Sequence, residues 1–345
     1  MGFIDADAHV WESEDTWSYL TSGERRWKPV LQTTDGEQHE WRGLKHFWYV
    51  DGQLLPSGRD AAPDAPPEHD RTLADPRARI AAMDRHGIET QVVISTFFLG
   101  ADIRQAEAQV ALARSCNRWL ADRCRASNGR LRWSIVPPLR DIAATIEEIH
   151  HGAKNGAVSI LVRGVEAGRL LTDPYFHPVY AEAERQGLAV GVHIGNVDRA
   201  IHHQRAGIIF SVLPVVGAFI GLFVSDIRQR FPSLNFAFLE AGSEWLPFAF
   251  REISRGADTG RRKHNVLGSM PLAGARFFVA CTMDEDLPHV LRCSGAENLV
   301  IGTDYGHQDL GTDAAAHALL LARRDVPRDV LSQISDSNGR VLYRL

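Results

Sequence analysis

The sequence predicts an α/β fold: a (β/α)8 TIM barrel, one domain over residues 1–345, with an insertion after the first strand. Three observations predict it. Short apolar runs alternate with amphipathic stretches along the whole chain. Four of those runs end in Asp, His or Glu, which suits a fold whose strand ends converge on one face. No GxGxxG follows the first run, which weakens the alternative of an open, doubly wound sheet that binds a dinucleotide.

The strand candidates are residues 3–8, 90–95, 131–136, 158–162, 189–193, 236–239, 276–280 and 299–302. Most are apolar on both faces, as parallel strands covered by helices must be. Helical stretches lie between them at 76–86, 104–125, 141–154, 174–186 and 225–231. Strand–helix alternation sustained in this way favours closure into a barrel. Residues 33–75 interrupt it with Gly, Pro, Asp and the aromatics Trp41, Phe47, Trp48 and Tyr49. An insertion there sits over the catalytic face, so it is expected to be a lid or small β-subdomain.

Composition sets outer bounds. With 44% hydrophobic and 23% charged residues, the 345-residue chain can build a large core. A net charge of −5 and the lack of zinc-finger or RNA-binding motifs argue against a nucleic-acid partner. Cys116, Cys124, Cys281 and Cys293 form no CxxC pair and read as reduced, mostly buried thiols. No basic region followed by an apolar core opens the chain, so a cytoplasmic location is expected. The apolar stretch 208–224 holds Ser211, Pro214, Gly217 and Gly221. It is short for a membrane span and reads as a buried helix or an apolar pocket wall, and no membrane partner is expected.

Four segments carry chemistry. The first strand continues through Asp5, Asp7, His9 and Glu12. Alternation places Asp5, Asp7 and His9 on one face. Burying three polar groups there is costly unless a cation or hydrogen bonds compensate. His193 ends the fifth strand and is followed by Ile194 and Gly195, with His202 and His203 in the next loop. Glu240 ends the sixth strand, and Glu244 falls in the first turn of the next helix, where it favours the helix dipole. Asp304 follows the eighth strand, with Tyr305 beside it and His307 three residues on. Each signal is weak alone; their coincidence at four strand ends points to a metal centre.

These residues resemble the amidohydrolase superfamily, in particular the branch of aminocarboxymuconate-semialdehyde and resorcylate decarboxylases. The resemblance covers nearly the whole chain. The segment GTDYGHQD is similar to the branch's SDYPHxD motif, and Asn338 to Tyr343 to its closing helix. His193 and Asp304 match family ligands. Asp7 stands where the branch has its first His, Glu240 where it has the strand-six His, and Glu12 where its decarboxylases often have proline. Strand four has no lysine of the kind that bridges metals in binuclear hydrolases; Arg163 follows it instead.

These departures replace nitrogen donors with oxygen donors, which suits iron or manganese better than zinc. The stretches D-x-D-x-H-x-x-E and LEAGSEW are also similar to a group of TIM-barrel nonheme diiron monooxygenases that includes a hydroxylase of platensimycin-type diterpenoid biosynthesis. That resemblance implies a monooxygenase hydroxylating an apolar acyl-type substrate, CoA-linked or terpenoid, with O2, two Fe ions and an external electron donor. Its metal ligands would be Asp7, His9, Glu12, His193, Glu240, Asp304 and His307, with Glu240 or Glu12 bridging. Asp304, Glu240 and His307 would be catalytic, and His202, Arg163 and Tyr305 would contact substrate. Arg261, Arg262 and Lys263 would meet CoA phosphates, or form a solvated surface. Phe210, Phe219 and Phe223 would line an apolar pocket, or form helix core.

The alternative is a hydrolase or non-oxidative decarboxylase with one Zn or Mn ion and Asp304 as base. A third reading is a non-catalytic barrel used for binding. A homodimer is expected from the branch.

Overall fold

The computed structural model describes residues 2–36, 43–63, 65–195, 207–256, 272, 274–307 and 312–345. In chain order its strands are β1 (Ile4–Val10), β2 (Val30–Thr33), β3 (His46–Val50), β4 (Gln53–Pro56), β5 (Thr90–Ser95), β6 (Leu131–Ile135), β7 (Ala157–Arg163), β8 (Val165–Glu166), β9 (Arg169–Leu170), β10 (Ala189–His193), β11 (Phe236–Leu239), β12 (Phe277–Cys281) and β13 (Leu299–Ile301). Eight of them form one parallel sheet in the order β1-β5-β6-β7-β10-β11-β12-β13. The circle closes between β1 and β13 through the Asp304 amide on the Asp7 carbonyl at 2.9 Å and the His9 amide on the Tyr305 carbonyl at 2.7 Å. This is the (β/α)8 barrel that the alternation predicts.

The barrel strands are buried at all but Arg132 and Arg163, because helices cover one side and the barrel interior the other. Val93, Val190, Val192, Phe236 and Phe238 pack with helix residues such as Leu112, Trp119 and Tyr180. Their neighbours Val92, Ile94, Ala189, Ala237 and Leu239 join Ala6, Phe278 and Val300 in a second, interior cluster. The C-terminal helix Asn338–Tyr343 packs under the strand starts. There the Tyr343 hydroxyl donates to the Ala6 carbonyl, and the Asn235 amide donates to the Val341 and Leu342 carbonyls.

The Pro76–His86 helix shows how local sequence sets an element. Asp75 caps it by accepting from the Arg77 amide, proline opens it, and Gly87 ends it at φ 69°. The expected helix over 174–186 divides into a 3-10 turn at Pro174–Phe176 and an α-helix at His177–Gln186. The helix expected over 225–231 is only Ile227–Arg230. The apolar stretch forms the helix Gly207–Val224. No helix among the described residues is long and apolar enough to cross a membrane.

The insertion begins earlier than expected. β2 pairs antiparallel with β3, and β3 with β4, giving a small sheet that starts at Val30. Gln53 ties it to the barrel by exchanging hydrogen bonds with the Asp102 backbone.

The first strand departs from simple alternation. Asp5 pairs with Gln91 and Ala8 with Val93, so the register slips by one residue between them. Such a bulge turns the following side chains to the other face. Asp5 therefore lies level with Gln91, whereas His9 lies level with the interior residue Ile94. The expectation that Asp5 shares a face with Asp7 and His9 is corrected by this bulge.

Candidate metal centre

Asp7 and His9 from β1, His193 from the end of β10, Glu240 after β11, and Asp304 and His307 after β13 meet at the mouth formed by the C-terminal ends of the barrel strands. The His9 Nε2 atom lies 3.1 Å from Asp304 Oδ1, 3.3 Å from Asp7 Oδ1 and 3.5 Å from Glu240 Oε2. His193 Nε2 lies 3.0 Å from Glu240 Oε2 and 3.4 Å from Asp7 Oδ1. His307 Nδ1 lies 2.8 Å from Asp304 Oδ1, and its ring stacks on His9 with centroids 3.7 Å apart. The donor atoms fall into two overlapping groups, each within 4.8 Å: Asp7, His9, His193 and Glu240; and His9, Glu240, Asp304 and His307.

The backbone is bent to deliver the carboxylates. Glu240 and Asp304 both adopt left-handed φ, 54° and 50°. For residues other than glycine that conformation is sparsely populated and costs on the order of 1–3 kcal/mol, which the surroundings must offset. The Asp304 amide is held by the Asp7 carbonyl. The loop after Glu240 is held by Glu285, whose carboxylate accepts from the Ser243 amide and hydroxyl and from the Glu244 and Thr282 amides. Gly302 is required beneath Asp304, since a Cβ there would stand 2.5 Å from the Asp7 Cβ.

Within the group the buried carboxylates and the His9 and His193 imidazoles favour one another's charged forms. Burial works to lower the His193 pKa, but the facing Asp7 and Glu240 carboxylates overcome it and raise the group to about 10. His9 is raised well above its ordinary value for the same reason, by Asp304, Asp7 and Glu240 acting against burial. Burial works to raise Asp7, yet His193 and His9 bring it down to about 2. Asp304 is held well below the usual carboxylate range, with His307 and His9 prevailing over burial.

The decisive observation is what these atoms do not bond. Asp7 Oδ1, both nitrogens of His9, His193 Nε2, Glu240 Oε2, Asp304 Oδ1 and His307 Nδ1 are buried without a hydrogen-bond partner. Buried polar atoms are ordinarily paired, and a convergent set of buried nitrogen and oxygen donors without partners fits a cation. The remaining atoms of several of these residues are anchored. His193 Nδ1 meets the Ile194 carbonyl at 2.9 Å, Asp304 Oδ2 accepts from the Thr312 hydroxyl at 2.6 Å, and His307 Nε2 meets Thr96 Oγ1 at 3.0 Å. Such outer contacts aim ligand atoms inward. The donor set fits a divalent metal.

The other expected residues lie elsewhere. Glu12 joins neither donor group: Ser95 Oγ and the Phe97 amide occupy its two oxygens. Arg163 pairs with Glu166 and donates to the Ala101 and Leu99 carbonyls. The Tyr305 hydroxyl donates to Asp70 at 2.6 Å, and its ring lies under Arg79. Glu244 accepts from the Asp286 amide. Phe219 and Phe223 belong to an aromatic core with Phe238, Trp245, Phe250 and Phe277. His202, His203, Arg261, Arg262, Lys263 and the Phe210 side chain fall outside the described residues. Reading the sequence missed Glu285 and Arg79, whose partners lie far along the chain.

A cavity of about 690 Å³ opens beside His307, lined among others by Pro66, Pro67, Arg85, His86, Tyr305 and Thr312. Trp11 stands beside His307: its indole N–H donates to the Gly306 carbonyl at 2.7 Å, and its ring packs edge-on to His307.

Comparison with known proteins bears on what this centre does. A 2-amino-3-carboxymuconate-6-semialdehyde decarboxylase of Dictyostelium discoideum is 22% identical over 274 residues, covering 77% of this chain and 74% of its own. A gamma-resorcylate decarboxylase of Rhodococcus jostii (strain RHA1) is 31% identical over 128 residues, 34% of this chain and 39% of its own. The crystal structure of a 5-carboxyvanillate decarboxylase from Novosphingobium aromaticivorans, with bound manganese, superposes with a TM-score of 0.71 at 17% identity, covering 100% of this chain and 97% of that one.

These relatives overturn the expectation of a diiron monooxygenase. Both curated relatives are decarboxylases, not oxidoreductases, and nothing supports two irons, an acyl-CoA substrate or an electron donor. The oxygen-rich donor set suggested iron and dioxygen, but a donor inventory specifies a metal's preferences and not a reaction. The family described as "Amidohydrolase" matches residues 4–345, and the chain belongs to it.

Proposed function

We propose that this protein is a divalent-metal-dependent, non-oxidative decarboxylase acting on a small aromatic or conjugated carboxylate. The observation that carries this reading is the convergence of unpartnered buried donor atoms from Asp7, His9, His193, Glu240, Asp304 and His307. Asp7, His9, His193 and Glu240 would hold the ion, with manganese favoured over zinc by the two carboxylates. The bound cation would supply Lewis-acid polarisation of a substrate oxygen.

The chain's own residues do the rest. Substrate enters by the cavity beside His307, where Arg85 and His86 attract a carboxylate. The inserted segment acts as a lid, contributing Pro66 and Pro67 to the cavity wall. When the C–COO⁻ bond breaks, CO2 departs and its electron pair stays on carbon, which must take a proton. His307 carries that proton. Thr96 anchors its Nε2 at 3.0 Å, which leaves Nδ1, 2.8 Å from Asp304 Oδ1 and without a hydrogen bond, to carry the proton.

The test is a panel of hydroxylated benzoates and conjugated dienoic acids, incubated under dinitrogen with manganese-loaded protein. The expected result is CO2 release with one hydrogen replacing the carboxylate. Turnover that requires dioxygen and an added reductant contradicts the reading.

A further inference from the structure

Arg79 lies in the middle of the Pro76–His86 helix and is fully buried. Its guanidinium is spread over four partners. Nε donates to Gln91 Oε1 at 2.6 Å and Nη1 to the Asp70 carbonyl at 3.4 Å. Nη2 donates to two carbonyls at once, His9 at 3.0 Å and Tyr305 at 3.3 Å. The cation also sits over the Tyr305 ring, 4.2 Å from its centroid.

The two carbonyls held by Nη2 belong to opposite sides of the β1/β13 closure. His9 is a donor residue on β1, and Tyr305 lies between the donors Asp304 and His307. The same Tyr305 carbonyl accepts the His9 amide at 2.7 Å. Neighbouring strands elsewhere in the barrel are joined by ladders of three or more residue pairs. Among the described residues, β1 and the segment after β13 are joined by a single bridge, Ala8 with Tyr305. Below it the closure is reinforced by side chains. Gln91, held by Arg79, donates to Asp5 Oδ2, and Asp5 in turn accepts the Thr303 amide and hydroxyl. A continuous buried network thus runs Arg79–Gln91–Asp5–Thr303 along the closure that carries Asp7, His9, Asp304 and His307.

We propose that Arg79 is a positioning residue for the metal centre: it spans the barrel closure and sets how the β1 ligands Asp7 and His9 sit against the segment after β13, touching neither ion nor substrate. The inference rests on the metal-centre reading above. A planar guanidinium with five donors can hold three carbonyls, an amide oxygen and a ring at once; an ammonium on a flexible stem cannot. Partners of this outer kind change metal affinity by about 10- to 100-fold when removed.

The experiment uses the full chain and its Arg79→Met and Arg79→Lys variants, with Mn(II) affinity by equilibrium dialysis, the visible spectrum of the Co(II)-loaded protein, and thermal melting. Arg79→Met is expected to bind Mn(II) at least tenfold more weakly and to shift the Co(II) bands. Arg79→Lys, which keeps the charge and the stem, is expected to fold, recover part of the affinity and keep an altered spectrum. Should Arg79→Met fail to fold, Arg79→Lys decides. A folded variant with wild-type affinity and an unchanged Co(II) spectrum, its melting temperature alone reduced, overturns the positioning role and leaves the proposed function standing. A wild-type chain that binds neither metal overturns the metal-centre reading itself.

Discussion

Glu240 Oε2 and His193 Nε2 stand 3.0 Å apart at the ends of the adjacent strands β11 and β10, both buried and neither hydrogen-bonded. Removing either should damage ion binding more than folding. Glu240→Ala is expected to lose tenfold or more in Mn(II) affinity while keeping a wild-type circular dichroism spectrum, because alanine keeps the Cβ and the φ of 54°, and Glu285 still holds the loop that follows. Unchanged Mn(II) affinity would show that Glu240 is not a ligand.

Glu285 holds the loop after Glu240 through Ser243, Glu244 and Thr282. Glu285→Ala leaves those amides unpaired and frees the Glu240 carboxylate to wander. The expected outcome is a loss of about 2–4 kcal/mol of stability in urea denaturation together with weaker metal binding. Stability loss without any change in metal affinity would confine Glu285 to a structural role.

Gly302 faces Asp7 so closely that an added methyl group would lie 2.5 Å from the Asp7 Cβ. Gly302→Ala must push β13 away from β1. A loss of about 1–3 kcal/mol is expected from overpacking, with a fall in metal affinity because the added methyl group displaces the ligand Asp7. Denaturation and dialysis measure both; a neutral substitution would mean the strands separate freely there.

Burial pushes the Glu12 carboxyl from its ordinary 4.5 up to about 7, although the Ser95 hydroxyl and Phe97 amide pull it back. Between those two values the folded chain retains a proton that the unfolded chain has released. The stability contributed by this group is therefore full below the unfolded value and is lost as pH rises through the folded one. Glu12→Gln removes the dependence. Subtracting the variant's unfolding free energy from that of the wild type should give a difference that falls from pH 4.5 to pH 8. A difference that rises over that span would reverse the assigned direction.

Much of this arrangement is legible in the residues alone. The eight barrel strands are apolar runs with clear ends, and Asp7, His193, Glu240 and Asp304 are conspicuous because charged groups terminate such runs. The Asp5 error has a definite source: alternation assumes an unbroken register, and the bulge before Ala8 depends on how β1 meets β5. The resemblance to the diiron monooxygenases implies Glu12 as a ligand, but Ser95 at the end of β5 and Phe97 just beyond it decide where its carboxylate goes. Arg79 and Glu285 act on residues 226 and 42 positions away, which no local pattern encodes. The reaction was the least legible feature, since three carboxylates and three histidines suit several metals and several chemistries.

The most direct test of the account is the Mn(II) content of chelator-stripped protein after reloading and dialysis. The account predicts at least about one tightly held equivalent per chain, lost on acidification as the histidines take up protons, and absent from a His193→Ala/Glu240→Ala double variant. Protein that stays folded, retains less than about a tenth of an equivalent and shows no difference from the double variant would contradict it.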